Sequence, residues 1–419
     1  MKKTVSLLLA FLILCTLSVP CAAAAAPEAV LRAAEEIVAY KKTAPDGTVG
    51  ENLFAGDFLN AAGSTAGDWY PFGMAALGVA DDYAAYLAAL RENVRVRYRT
   101  EGALSPNKAT EWHRVILAAL SCGADPTRFC VGPDGAPVDL MADGVFFREN
   151  VGRQGLNGYI WALIALHACP CETPANAVNT EETLFEALAE RQLENGGWAA
   201  AGETADADLT AMALIALAPM TDENGAAKAA ADRAIECLAS LQNAEGGYEN
   251  GGFANCESCA VVVTALCENG LDPAKDPRFA KNGLTPVDAL LSYRLPDGSF
   301  THAFTSDPEN PSAVPMEPND MSCQQALYAL AAYYNLLTGK GGIFDFSGKP
   351  LSDAGWDHIP ASPSAAEQAA ATLRQRLADF FAEPTNRKTV IAAALALAVI
   401  LGALGLALRA KRRKRRKDA

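Results

Sequence analysis

Histidine is scarce. Four stand in 419 residues, His113, His167, His302 and His358, and neither an HExxH nor a second CxxC at zinc-ribbon distance accompanies Cys256-x-x-Cys259. Zinc sites are built from such clusters, so no metal and no other cofactor is expected. Basic residues are short as well, 35 Lys+Arg against 49 Asp+Glu. Nucleic-acid binding needs a basic face and is excluded. Half the residues are hydrophobic, with 16 Phe and 5 Trp, which supplies a sizeable core and excludes intrinsic disorder.

Long apolar runs stand at the two ends. Residues 1–25 read as MKK, an uncharged apolar stretch and an alanine-rich cleavage zone, the layout of an export signal. Residues 389–408 (TVIAAALALAVILGALGLAL) carry no charge and match a hydrocarbon core of about 30 Å at about 1.5 Å per residue. Eight Lys/Arg follow within 409–417. The positive-inside rule puts residues 409–419 in the cytoplasm and the chain before the span outside, so a single-pass cell-membrane protein in contact with membrane lipid is expected. The formal charge of −14 divides accordingly. Two lysines lie in the signal and a net seven positive charges in the tail, which leaves about −23 on the part between. Residues 346–388 read as a linker rich in Pro, Ser and Ala with one short amphipathic helix over 366–381.

Nine cysteines remain beyond the signal segment. They are expected to be small core residues, with one or two disulfides in an exported chain.

Between the ends the chain repeats. A short apolar segment ending in Ala-Leu recurs six times, as DWYPFGMAAL, EWHRVILAAL, NGYIWALIAL, DLTAMALIAL, ESCAVVVTAL and MSCQQALYAL, ending at Leu77, Leu120, Leu166, Leu217, Leu266 and Leu330. Each is apolar on nearly every side, as a helix buried all round must be. A more amphipathic stretch precedes each, at about 28–41, 81–98, 139–152, 181–193, 226–242 and 285–294. Six pairs of one wet and one dry helix predict an all-α, closed (α/α)6 toroid over 26–345, with the dry helices inside. The turns between partners share a template, Q-x-x-(N/E)-G-G-aromatic, at Gln192–Trp198 and Gln242–Tyr248 and more loosely at Arg294–Phe300.

These turns resemble the QW repeats of the terpenoid cyclase and protein prenyltransferase superfamily. The stretch from Gln192 to Phe346 is similar to prenyltransferase/squalene-oxidase repeat proteins of bacterial surfaces; residues 28–190 share the pattern only. The resemblance implies an α/α toroid. Similar repeats occur in cobalamin carriers that add a β-domain, for which there is no room here. Asp206-Ala207-Asp208-Leu209-Thr210-Ala211 resembles the D-x-D-D-T-A motif of squalene-type cyclases, in which the aspartate matched by Asp208 protonates an alkene or epoxide. Leu209 replaces that motif's third carboxylate. A zinc prenyltransferase is rejected, because Asn255-Cys256-Glu257 and Ser322 stand where Asp-x-Cys and His would.

Nine residues before each closing leucine come Asp68, Glu111, Asn157, Asp208, Glu257 and Met321. Trp69, Tyr70, Trp112, His113 and Tyr159 follow in the first three repeats. An acid or amide at a helix start also serves as an N-cap, so the repeat alone could account for it. The expected site is an acidic-aromatic rim of Asp68, Trp69, Tyr70, Glu111, Trp112, His113, Asn157, Tyr159 and Glu257. It is read as non-catalytic, binding a ligand or partner: a small hydrophobic molecule, a cobalamin-like one or a glycan. The alternatives are a terpene cyclase with Asp208 as general acid beside Asp206, and a toroid glycosidase using paired carboxylates.

Overall fold

The computed structural model describes residues 26–358 apart from Pro45 and Glu309. The signal segment, the amphipathic helix, the span and the basic tail lie outside the described residues. Among those described, no helix is long and apolar enough to cross a membrane. The chain divides into two units, 1–358 and 359–419, and the described residues belong to the first.

The dry segments form α2 (Trp69–Leu77), α4 (Thr110–Ser121), α5 (Leu156–Ala168), α7 (Ala207–Leu217), α9 (Cys256–Glu268) and α11 (Asp320–Thr338). In α9 every residue from Cys256 to Cys267 is buried. Each packs on the next, α2 on α4, α4 on α5, α5 on α7, α7 on α9 and α9 on α11, and α11 returns to α2. The ring is closed.

The wet segments form α1 (Pro27–Lys42), α3 (Tyr83–Glu101), α6 (Glu181–Ala189), α8 (Gly225–Leu241) and α10 (Pro286–Ser292) outside it. On α8 the buried residues Ala227, Ala230, Ala231, Ala234 and Leu238 keep one face inward. The outer helices α6, α8 and α10 pack on α5, α7 and α9, the inner helices that precede them, and α1 packs on α11. The first helix thus occupies the place of the last repeat's partner.

The third outer helix, expected over 139–152, is absent. A single π-helical turn, Ala142–Phe146, and a 3-10 turn, Val151–Gln154, stand there. Two glycines, Gly144 and Gly152, lower the helix propensity by about 1 kcal/mol each. Asn179 then takes the carbonyls of Val145 and Arg148 at 2.7 and 2.9 Å, and the N–H groups of Val178 and Asn179 take that of Phe146. A helix would need those acceptors. Disulfides were also expected, but the nine cysteines among the described residues are all free and seven of them are buried.

The repeated turns work alike. Gln242 Nε2 donates to the carbonyls of Gly246 (2.8 Å) and Phe279 (3.0 Å), and Gln192 Nε2 to those of Gly196 and Ala230. The aromatics Trp198, Tyr248 and Phe300 are wholly buried. Gly196, Gly246 and Gly298 have φ of 86°, 80° and 88°, the left-handed region that favours glycine. A Cβ on Gly196 would strike Arg233 of α8, one on Gly246 would strike Leu284 and Thr285 at the start of α10, and one on Gly298 would strike Glu36 of α1. Two turns therefore clamp onto the next outer helix, and the last turn clamps onto the first. Arg294 completes that closure with an ion pair to Glu36.

Candidate functional site

The helix starts hold a distinction that sequence spacing conceals. The residues capping α7, α9 and α11 are Asp206, Asn255 and Asn319, which accept the N–H groups of Leu209, Ser258 and Ser322 at 2.9, 2.8 and 3.1 Å. Each lies two residues before the repeated slot. Asp208 and Glu257 are therefore not needed as caps, and two residues on, about half a helical turn, they face the lumen.

There they line a cavity of about 470 Å³ together with Asn157, Met321 and Trp69. Below this layer come Trp161, Met212, Val261 and Tyr328, each four or seven residues on from a slot residue and so on the same helix face. Trp69 lies 5.3 Å from Trp161 and 5.9 Å from Tyr328 between ring centroids. Phe344, from the segment after α11, forms the floor; its ring is 4.9 Å from Phe72 and 6.5 Å from Trp161. The walls are mainly apolar and aromatic, with Thr65, Gln324 and Gln325 among them and the carboxyls at the mouth.

The two carboxyls differ. Asp208 Oδ2 accepts from Asn250 Nδ2 at 2.7 Å, while Oδ1 is buried with the Ser258 hydroxyl beside it. Burial, reinforced by the nearby acids Asp206 and Glu257, pushes its pKa up to about 6. Glu257 is fully engaged. Its Oε2 lies 2.7 Å from His302 Nδ1, and its Oε1 accepts from Ser322 Oγ at 2.7 Å. The other nitrogen of His302 faces Asp307 at 3.1 Å. Hydrogen bonding to Glu257, then the second carboxylate, raises the His302 pKa to about 9. His302 is an imidazolium at neutral pH, and with Ser322 it clamps the Glu257 side chain in place at the lumen.

The remaining rim residues are elsewhere. Asp68 is buried and holds Arg114 Nε at 2.8 Å, Tyr86 Oη at 2.8 Å and the Gly63 N–H. Glu111 takes the other side of the same guanidinium at 3.0 and 2.9 Å. Trp112 is buried beneath Arg148, whose guanidinium stands 4.2 Å from the ring centroid, and its Nε1 donates to Tyr98 Oη at 2.8 Å. His113 is wholly buried at 3.0 Å from the Gly144 carbonyl; burial lowers its pKa to about 4, so it is neutral. Tyr70 donates to Asp320, and Tyr159 lies under Arg191. Helix α4 places its first-turn residues against the outer layer. The structure therefore brings together Trp69, Asn157, Asp208 and Glu257, and leaves out Asp68, Tyr70, Glu111, Trp112, His113 and Tyr159.

Sequence reasoning missed Trp161, Tyr328, Phe344 and His302. The first two carry the i, i+4, i+7 signal of a lumen-facing stripe. The other two come from loops and carry no periodic signal. Among the described residues no group of three or more His, Cys, Asp or Glu is arranged to hold a metal ion.

No protein-family model and no curated protein matches the chain. Among solved structures, it is similar to the type II terpene cyclase MstE from Scytonema in the apo form, at 14% identity and a TM-score of 0.43, over 73% of this chain and 98% of that one. An MstE variant in complex with geranylgeranyl dihydroxybenzoate gives 14% and 0.44, over 73% and 98%. A possible member of the GH105 family from Salmonella enterica serovar Paratyphi A gives 11% and 0.41, over 74% of this chain and 94% of that one.

Proposed function

We propose that the lumen of the ring binds a small molecule with a linear apolar body and a hydrogen-bonding end, the body among Trp69, Trp161 and Tyr328 and the end at Asp208. The observation that carries this reading is the largely apolar cavity with a buried carboxyl at its mouth, one oxygen of which has only the Ser258 hydroxyl beside it. Burying a polar atom with no partner at all costs about 1–3 kcal/mol, and a ligand hydroxyl donating to Asp208 would recover the part of that cost that Ser258 leaves. The site is thus set deeper than an acidic-aromatic rim. A cavity of about 470 Å³ suits a small ligand, within the range of about 300–1,000 Å³ for drug-sized molecules, and a corrinoid is too bulky for it. A glycan would want polar partners along its length; Thr65, Gln324 and Gln325 join the lining, but the facing Trp69, Trp161, Met212 and Val261 favour an apolar body. In this reading the segment 389–408 anchors the protein in the cell membrane with the ring outside, and the ligand reaches the lumen from the lipid.

A second reading is favoured by the state of Asp208. A carboxyl with a pKa of about 6 is partly protonated near neutral pH, and on an apolar wall it is placed to protonate an alkene. This is the cyclase reading.

One experiment separates them. The purified full-length chain is titrated with geraniol and farnesol, following tryptophan fluorescence, and separately incubated with squalene-like polyprenes for product analysis. Saturable binding that weakens in Asp208→Asn supports the lumen site. Cyclised product from wild type and none from Asp208→Asn supports catalysis. Absence of both removes the lumen as the functional site.

A further inference from the structure

The lumen does not end at the floor of the cavity. Behind Phe344 lies a second space of about 250 Å³, at the opposite end of the inner helices, lined by Ile164, Ile215, Ala218 and Pro219 together with the polar His167, Glu268 and Asp345. Phe344 and Ile215 belong to the walls of both spaces. Ile215 is fixed in α7. Phe344 is on a strap, residues 339–346, that follows the last turn of α11 and crosses the ring's far opening. The strap is held by side chains and packing. Glu268 Oε1, at the end of α9, accepts the Ile343 N–H at 2.9 Å. Gly342 lies so close that a Cβ there would stand 2.4 Å from Glu268 Oε2.

We infer that these two spaces are compartments of one binding lumen, and that Phe344 is the partition that sets how long an apolar ligand chain the site accepts. The inference rests on the lumen reading above and adds the determinant of chain length. The depths fit. From Asp208 to Ile215 is seven residues, about 10 Å of helix, and from Glu257 to Glu268 is eleven residues, about 16 Å. Removing the Phe344 ring would extend the reach by about one helical turn, 5.4 Å. The extension offers Ile164, Ile215, Ala218 and Pro219 to the tail of an isoprenoid-like or alkyl chain whose polar end is at Asp208, and carries His167, Glu268 and Asp345 as its polar lining. Phe344 touches neither carboxyl at the mouth and is a specificity residue rather than a catalytic one.

The test is a chain-length profile. Geraniol, farnesol and geranylgeraniol are titrated into the full-length wild type, Phe344→Ala, Phe344→Leu and, as a control on the same strap outside both compartments, Phe346→Leu. The wild type is expected to level off at geraniol. Phe344→Ala should bind farnesol about tenfold tighter or more than wild type does, a gain that about two newly buried methylenes would supply, with geraniol affinity changed less than about threefold. Phe344→Leu, which keeps an apolar filler if the alanine variant does not fold, should show the same shift at smaller size. Phe346→Leu should keep the wild-type profile. Identical profiles in wild type and both Phe344 variants, with geraniol bound by all, would overturn the partition and leave the lumen site standing. If the wild type binds none of the alcohols, the lumen reading falls and the partition with it.

Discussion

His302 Nδ1 lies 2.7 Å from Glu257 Oε2, so a loop outside the ring holds the carboxylate at its mouth. With Asp307 on the other nitrogen, the His302 pKa rises to about 9, against about 6.5 for an unfolded histidine. Between those values the native state keeps a proton that the unfolded state has lost. The stabilisation is therefore complete below about pH 6.5 and disappears as pH rises toward 9. The wild-type thermal midpoint should fall across that interval, and His302→Gln should flatten the fall. An unchanged slope in the variant would show that another group titrates there.

Asp208 gives a lower window. Its folded pKa of about 6 exceeds the ordinary value of about 3.9, so the folded state binds the extra proton and loses stability as pH rises from about 4 to 6. At pH 7 the ionised, buried carboxylate is a burden. Asp208→Asn should match wild type near pH 4 and be more stable at pH 7 by about 2–3 kcal/mol, measured by urea unfolding. Reduced ligand binding with raised stability is the pattern of a functional residue held at structural expense.

Arg114 joins the first two repeats from inside. It is nearly buried, and its guanidinium lies between Asp68 and Glu111. Arg114→Met leaves the Asp68 charge buried without its partner, a loss of about 3–5 kcal/mol. Adding Asp68→Asn should recover most of it, because an uncharged amide can keep the Tyr86 and Gly63 hydrogen bonds at lower desolvation penalty. Chemical denaturation of the single and double variants checks both figures.

Gly298 and Gly252 separate conformation from closure. Both have positive φ, 88° and 85°, and alanine in the left-handed region costs about 1–2 kcal/mol. At Gly252 nothing lies within 4 Å of the added Cβ, whereas at Gly298 the Glu36 Cβ and carbonyl stand 2.9 and 3.0 Å away. Gly252→Ala should show the backbone cost alone. Gly298→Ala should exceed it and lower the thermal midpoint further, since α1 must retreat from the turn.

The ring was readable because burial on all sides leaves an unmistakable composition. The segments that end at Leu77, Leu120, Leu166, Leu217, Leu266 and Leu330 are the six inner helices. The outer helix over 139–152 was misread because its apolar residues are helically spaced, while the competitor for its carbonyls, Asn179, lies some thirty residues on. The slot residues shared one position in the repeat but had different fates. Asp208 and Glu257 face the lumen because Asp206 and Asn255 do the capping, whereas Asp68 precedes α2 and answers Arg114. Spacing reports which turn of a helix a residue occupies. It cannot report a partner supplied by another repeat.

The clamp of the Arg294–Phe300 turn on α1 also has a kinetic consequence. In an open array each repeat can settle on its neighbour as soon as that neighbour exists. Here Lys41 pairs with Asp320 and Arg294 with Glu36, partners more than 250 residues apart. Such contacts repay their loop-closure entropy only late and slow the search. The seam between α1, α2 and α11 cannot form until the whole ring has been synthesised. Until then α2 can rest on α4 but not on α11, and α1, the first of the described helices, is the last to find its place.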